Sequence, residues 1–344
     1  MYKGFLLKKN HSVFYMWINR IEKYIKYLML KLRALLLTQG MHGMISQVEG
    51  LAKALGLSFK HETIQLKKIW NYLPPKLTPL TDSILKKKFI CDSRVIISCG
   101  RKSVIPSIIL KKRFKNDIFN IHIQDPKINL KNFDSIICPD HDNLDGENVI
   151  KTKGAIHYLT NNEIQINKNY LKPNQGDKKI ITLILGGPNK YYSFSEQQMD
   201  RLFAKIKNMF ISSKFKIIII PSYRTPENII KLSYNYFNQD HLVVKERDKK
   251  AYLSSLGLAD IIIVTCDSTS MISEAAITGK PIYVAHIPNK RSIYRFEKFY
   301  KLFKDLGIIR DLENKIENWK YKGLDEVNIA ASLVKDKMKK NGII

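Results

Sequence analysis

Apolar positions in this chain fall into short runs rich in Ile, Val and Leu. Each run is followed by a polar cluster, then by a stretch whose apolar residues recur every three or four positions. Runs without polar alternation predict strands buried on both faces, as in parallel sheets, and the three-to-four spacing predicts the helices that cross between them. The clearest unit spans 260–285. Ile261-Ile262-Ile263-Val264 reads as a strand, Asp267-Ser268-Thr269-Ser270 as a helix start of N-cap residue types, and 281–285 as the next strand. Further strands are predicted over 34–37, 94–98, 118–123, 135–138, 181–185, 216–220 and 241–244. Ile45, Val48, Leu51, Ala52 and Leu55 mark the face of a first helix. A capping box, Ser195 to Gln198, opens another with the stripe Met199, Leu202, Phe203, Ile206, Met209 and Phe210. Residues 326–338 predict a last helix that crosses back to the first domain.

The rhythm breaks at 161–179, where Asn, Lys, Pro and Gly replace the apolar runs, so an inter-domain linker is expected there. It separates a first domain over 34–160 from a second over 180–315, with a helical segment over 316–344. In each domain the predicted strands deliver polar residues to one sheet edge, which is how open α/β sheets build sites. In the first, Gly40 and Gly43 allow a close turn, and Gly40-x-x-Gly43-x-x-Ser46 is two-thirds of a short-chain epimerase fingerprint. Tyr294 and Lys298 stand at Tyr-x-x-x-Lys spacing, but within an expected amphipathic helix. His141, between Asp140 and Asp142, reads as a general base, as part of a metal pair, or as a structural hydrogen-bonding group. In the second, Gly186 and Gly187 would let a phosphate approach, Arg224 would neutralise it, and Glu274 would accept the hydroxyls of a ribose or sugar.

The chain has 344 residues, 44% of them hydrophobic, enough for two cored domains. Its net charge of +27 raises nucleic acid and anionic membranes as partners, but the lysines are spread through every segment alongside heavy Ile and Asn use. No recognition helix, zinc finger or RNA-binding sheet is recognisable, so no specific nucleic acid partner is expected. Cys91, Cys99, Cys138 and Cys266 lack metal-ligand spacing and suit a reducing, cytoplasmic setting. Residues 1–33 interleave Lys and Arg with aromatic residues and hold no apolar run long enough to span a membrane. They read either as a basic amphipathic leader for an anionic membrane surface or as an exposed extension.

An ordered set of motifs resembles the mitochondrial-fission "elongated mitochondria" family. In the first domain these are Gly40-x-x-Gly43-x-x-x-Gln47, Ile97-Ser98-Cys99-Gly100-Arg101, Gln124-Asp125-Pro126, Cys138-Pro139-Asp140-His141-Asp142, Gly146-x-Asn148-Val149 and Gly154-Ala155-x-His157. In the second they are Leu185-Gly186-Gly187-Pro188, Pro221-Ser222-x-Arg224-Thr225-Pro226 and Asp267-Ser268-x-Ser270-Met271-x-x-Glu274. The match covers residues 34–310. Gln39 stands where the family usually has an acidic residue, and Tyr223 where a second basic one is common.

The resemblance implies a GT-B-like α/β fold, two Rossmann-like domains with parallel sheets facing across a cleft. It implies a metal-independent glycosyltransferase with no cofactor, taking a nucleoside-diphosphate sugar as donor; together with the basic leader and the high positive charge it points to envelope polysaccharide or lipid assembly at the inner face of the cytoplasmic membrane. The donor site would comprise Gly186, Gly187, Asn189, Ser222, Arg224, Thr225, Asp267, Ser268, Ser270, Met271 and Glu274. Gly40, Gly43, Gln47, Gly100, Arg101 and Asp142 would form the acceptor side, with His141, His42 or Asp125 as base. A non-catalytic adaptor on the same fold and a nucleoside-diphosphate-sugar epimerase are the alternatives.

Overall fold

The computed structural model describes residues 33–344 apart from 211, 212 and 314. Most of the basic leader therefore lies outside the described residues. Two compact units are present. The first comprises the described residues up to Cys138 together with Leu144–Ile150 and Asn328–Ile344, and the second comprises Pro139–Asn143 and the described residues of Lys151–Val327.

The first unit is built on β1 (Arg33–Thr38), α1 (His42–Ala54), β2 (Ser58–Thr63), β3 (Val95–Cys99), α2 (Arg101–Phe114), β4 (Phe119–Ile123), β5 (Ser135–Pro139) and β6 (Val149–Thr152). These strands form one sheet in the order β2-β1-β3-β4-β5-β6. Pairing is parallel from β2 through β5, with Leu36 opposite both His61 and Ile97. Leu35, Leu37, Ile96 and Ile136 on the sheet pack with Val104, Ile105 and Ile108 of α2 in one apolar cluster, the burial that holds this layer together.

The second unit carries α3 (Asn161–Asn167), β7 (Lys179–Leu185), α4 (Glu196–Met209), β8 (Phe215–Pro221), α5 (Glu227–Phe237), β9 (Leu242–Val243), α6 (Lys249–Leu258) and β10 (Ile261–Thr265). It continues with α7 (Thr269–Ala276), β11 (Ile282–Ala285), α8 (Tyr294–Asp305) and β12 (Ile309–Asp311). The sheet runs β12-β11-β10-β7-β8-β9, parallel throughout. The chain thus starts at a central strand, winds to one edge, and returns to continue on the other side. This is the dinucleotide-fold order, with its reversal between β7 and β10. Both units are Rossmann-like, and the α/β class expected from the apolar rhythm is the one observed.

The stretch expected as a linker belongs to the second unit. Thr160 caps α3 by accepting from Glu163 N at 3.1 Å, and Ile164 is buried. Ser254 of α6 then ties the following segment down, with its Oγ donating to Lys168 O at 2.7 Å and accepting from Leu171 N at 3.0 Å. One buried Ile and two hydroxyl bonds suffice where composition alone suggested a tether. The last helix, α9 (Glu326–Lys340), begins in the second unit, while Asn328–Ile344 packs in the first. Ala330, Ala331, Val334 and Met338 are buried, and Lys337 Nζ donates to Glu147 O at 3.0 Å.

Candidate functional site

The reversal point of the second sheet gathers three loops. β7 ends in Gly186-Gly187, β8 in the turn Ser222–Thr225, and β10 in Thr265-Cys266-Asp267-Ser268 before α7. Their organising group is the Asp267 carboxylate, whose side chain is 0% exposed. Its Oδ1 accepts from Thr265 Oγ1 at 2.7 Å, and its Oδ2 accepts from Arg224 Nη2 at 2.6 Å and from Gly187 N at 3.1 Å. Burial raises the Asp267 pKa above its ordinary value, against the opposing pull of Arg224, Thr265 and the Gly187 amide.

Both glycines are required by close approach. A Cβ on Gly186 would lie 2.1 Å from Asp267 Oδ1, and one on Gly187 would lie 2.0 Å from the Arg224 carbonyl oxygen. The sequence suggested that they make room for a phosphate. In the structure the space beside each Cα is filled by the protein's own carboxylate and backbone. Arg224 was likewise expected to meet a ligand anion. Its guanidinium instead bridges Gly187 O at 2.7 Å and Asp267 at 2.6 Å, leaving the side chain 36% exposed. The pair carries little net charge.

Thr225 Oγ1 lies 2.9 Å from Leu185 O and 2.7 Å from Gly186 O, and it accepts from Ser222 N at 2.8 Å, so β7 and the β8 turn are locked together. Ser222 Oγ accepts from Arg224 N at 3.2 Å, and Arg247 donates to the carbonyls of Ser222 and Thr225 from outside. Asn189 Nδ2 donates to Asp267 O at 3.1 Å. Ser268 is the N-cap of α7, accepting from Met271 N at 3.3 Å, as its position in the sequence predicted. Thr269, Ser270 and Met271 form the first turn; Met271 N is taken by the Ser268 cap, while the N–H groups of Thr269 and Ser270 have no intrahelical acceptor and point out of the helix end. One to two turns in, Glu274 keeps partial exposure, and its Oε2 accepts from Tyr252 OH at 2.9 Å. Burial pushes the Glu274 carboxyl up to about 7, although the tyrosine bond pulls it down.

Next to this edge, Tyr300 OH donates to Cys266 O, and the same tyrosine lines a 480 Å³ cavity with His286, Lys301, Lys304 and Asp311. That volume lies within the range of small-molecule sites. Asp311 accepts from His286 Nε2 at 2.7 Å and from Lys304 Nζ at 2.5 Å. Burial raises the Asp311 pKa, but those two bonds outweigh it and hold the carboxyl low.

Two residues expected on the acceptor side pack in the second unit. Asp142 pairs with Arg295, with Nη2 to Oδ2 at 2.8 Å, and His141 meets the Phe299 ring edge-on at 5.2 Å. A general base has to titrate near neutrality, and His141, expected as one, does not. Desolvation lowers its pKa to about 4, and both ring nitrogens are buried without a hydrogen-bond partner. Tyr294 and Lys298 share a face of α8, the ammonium 4.5 Å from the ring centre, so their spacing reflects a cation–π pair.

In the first unit, Gly40 and Gly100 have positive φ (85° and 88°) at the ends of β1 and β3. A Cβ on Gly100 would strike Met44 Sδ at 2.6 Å, whereas Gly43 has open space around it. Gln47 is buried and accepts from Gln124 Nε2 at 3.4 Å. Arg101, expected to face an acceptor, donates to the carbonyls of Asn71 and Leu73. Asp125 closes its own turn, accepting from Lys127 N at 2.8 Å and Lys127 Nζ at 2.5 Å. His42 is exposed at the start of α1. Sequence reasoning missed Thr265, Tyr252, Arg247 and Tyr300. Only Thr265 left a signal, as a hydroxyl ending an otherwise wholly apolar strand.

Comparison with known proteins adds the family. The model for Mitochondrial fission ELM1 matches residues 42–338. The Rickettsia prowazekii protein RP120 is 28% identical over 346 residues, covering 85% of this chain and 95% of that protein. Mitochondrial fission protein ELM1 of Arabidopsis thaliana is 22% identical over 278 residues, covering 72% of this chain and 64% of that one. Among solved structures, the S. aureus MnaA–UDP co-structure is similar with a TM-score of 0.48 and 13% identity, over 90% of each chain. The chain belongs to the mitochondrial fission ELM1 family.

Proposed function

We propose that this protein is a nucleotide-sugar-dependent glycosyltransferase whose second unit holds the donor at the β7–β10 edge. The observation that carries this reading is the meeting of the Gly186-Gly187, Ser222–Thr225 and Asp267–Met271 loops where the strand order reverses. In this reading the diphosphate lies against the open N–H groups of the first turn of α7 and the outward N–H groups of Arg224. Glu274 Oε1 takes a sugar or ribose hydroxyl. Fixed dipoles then stabilise the leaving diphosphate as its bond to the sugar carbon breaks and the acceptor oxygen bonds that carbon. His42 and Asp125 remain the candidates for taking the acceptor proton, whereas His141 is a weak base. Assembly of envelope polysaccharide or lipid at the inner membrane face, with residues 1–33 on anionic lipid, belongs to the same proposal.

A second reading, a non-catalytic adaptor, is favoured by one observation: Arg224 is already neutralised by Asp267. Thermal unfolding against UDP, GDP, ADP, CMP and NAD separates the two. A ligand at about 100 times its Kd stabilises the folded state by about 2.7 kcal/mol. The transferase reading expects one nucleoside diphosphate to raise the midpoint, with the rise diminished in Glu274→Gln. No rise with any nucleotide overturns it in favour of the adaptor, and a rise with NAD alone points to the epimerase.

A further inference from the structure

The connection from β2 to β3, residues 64–94, is long for a parallel crossover without a full helix. It holds only three single turns, Lys68–Asn71, Pro75–Leu77 and Asp82–Ile84. It is nonetheless pinned. Leu66 and Leu85 form an antiparallel bridge, Lys67 N donates to Ile84 O at 2.8 Å, and Lys86 N donates to Gln65 O at 2.9 Å. Ile64, Leu66, Ile84 and Leu85 are buried beneath it, and Arg101 fastens the carbonyls of Asn71 and Leu73.

Its outer side is unusual in two respects at once. Tyr72 (85% exposed), Ile90 (78%) and Leu77 (66%) are three of the four most exposed large apolar residues described in the chain, and Ile69 and Leu80 stand out with them. Six lysines, Lys67, Lys68, Lys76, Lys86, Lys87 and Lys88, are interleaved with these, all exposed. The bridge brings Lys67 and Lys68 beside Lys86–Lys88. The carboxylate of Asp82, the sole acidic residue of 65–90, is taken by Arg113 of α2. Exposed apolar side chains gain by leaving water, and the ammonium groups gain by meeting anions. A bilayer interface carrying anionic headgroups satisfies both. Single-stranded nucleic acid satisfies the lysines and Tyr72 could stack on a base, but the other exposed apolar residues, Ile69, Leu77, Leu80 and Ile90, are aliphatic and offer no ring for stacking.

We propose that this β2–β3 connection is a membrane-docking surface for anionic phospholipid, with its aliphatic and tyrosine side chains at the acyl boundary and its lysines among the headgroup phosphates. The surface stands independently of the donor-site reading. Flotation of the full chain with phosphatidylcholine vesicles, with and without phosphatidylglycerol, at low and high salt, tests it. Binding is expected only with the anionic lipid and is expected to weaken with salt. The triple variant Lys86→Gln, Lys87→Gln, Lys88→Gln should lower the partition coefficient on the order of 100-fold, at about 1 kcal/mol per lysine. Ile69→Ser, Tyr72→Ser and Leu77→Ser together should abolish the binding that survives high salt. The altered side chains are exposed, so unchanged melting curves are the fold control. Since residues 1–33 are retained in every variant, unchanged flotation of both triple variants overturns the proposal. Loss of single-stranded RNA binding with vesicle binding intact overturns it in favour of nucleic acid.

Discussion

Glu274 gives the sharpest quantitative test of the site's electrostatics. Burial pushes its carboxyl up to about 7, from an ordinary value of 4.5. The folded protein therefore holds a proton that the unfolded chain has released between those two values. Stability from this group is fully present below about pH 4.5 and is lost as pH rises through about 7. The full span is about 3 kcal/mol, most of which falls between about pH 5 and about pH 8. Glu274→Gln removes the titration and keeps a carbonyl acceptor for Tyr252 OH, so the variant should gain on wild type by about 2–3 kcal/mol across that interval. Urea unfolding of both proteins at matched pH reads the difference, and the other titrating groups cancel in the subtraction. A wild-type-minus-variant difference that stays flat from about pH 5 to about pH 8 would refute the reasoning, because it would mean that Glu274 ionises in the folded state as it does in the unfolded chain.

Two further outcomes follow from the same edge. Arg224→Ala leaves the buried Asp267 carboxylate without its cation and should cost about 3–5 kcal/mol in urea unfolding; a cost under about 1 kcal/mol would show that the pair does not hold the loops. Gly187→Ala, whose Cβ would meet the Arg224 carbonyl at 2.0 Å, should destabilise by about 3 kcal/mol or more, while Gly43→Ala, with open space at the start of α1, should be neutral or stabilising by about 0.5 kcal/mol; thermal midpoints of the two should move in opposite directions or by very unequal amounts.

The central strands could be read from the sequence because burial on both faces demands unbroken β-branched runs. Ile261–Thr265 and Ser268 at the start of α7 stand within a residue of where the pattern put them. β2, Ser-Phe-Lys-His-Glu-Thr, escaped because it is a half-exposed edge strand with no apolar run to betray it. The chemistry at the second edge was legible by residue type but not by partner. Arg224 and Asp267 are 43 residues apart, and a cation and a carboxylate at two strand ends can each face a ligand or face one another. Only the register of β7, β8 and β10 decides between those outcomes. The two glycines carried the same ambiguity, since a missing Cβ admits a phosphate or a neighbouring backbone equally. Positions 161–179 misled because a helix held by one buried Ile and one serine carries too few apolar residues to be seen in composition.

The return of Asn328–Ile344 to the first unit makes the second an insertion between pieces of the first. During synthesis the second unit emerges complete, while the first still lacks the helix that buries Val334 and Met338. The half of the protein translated first is therefore the half that finishes last. A stop codon near residue 327 would strike the N-terminal unit, leaving the intact insertion as the protease-resistant remnant.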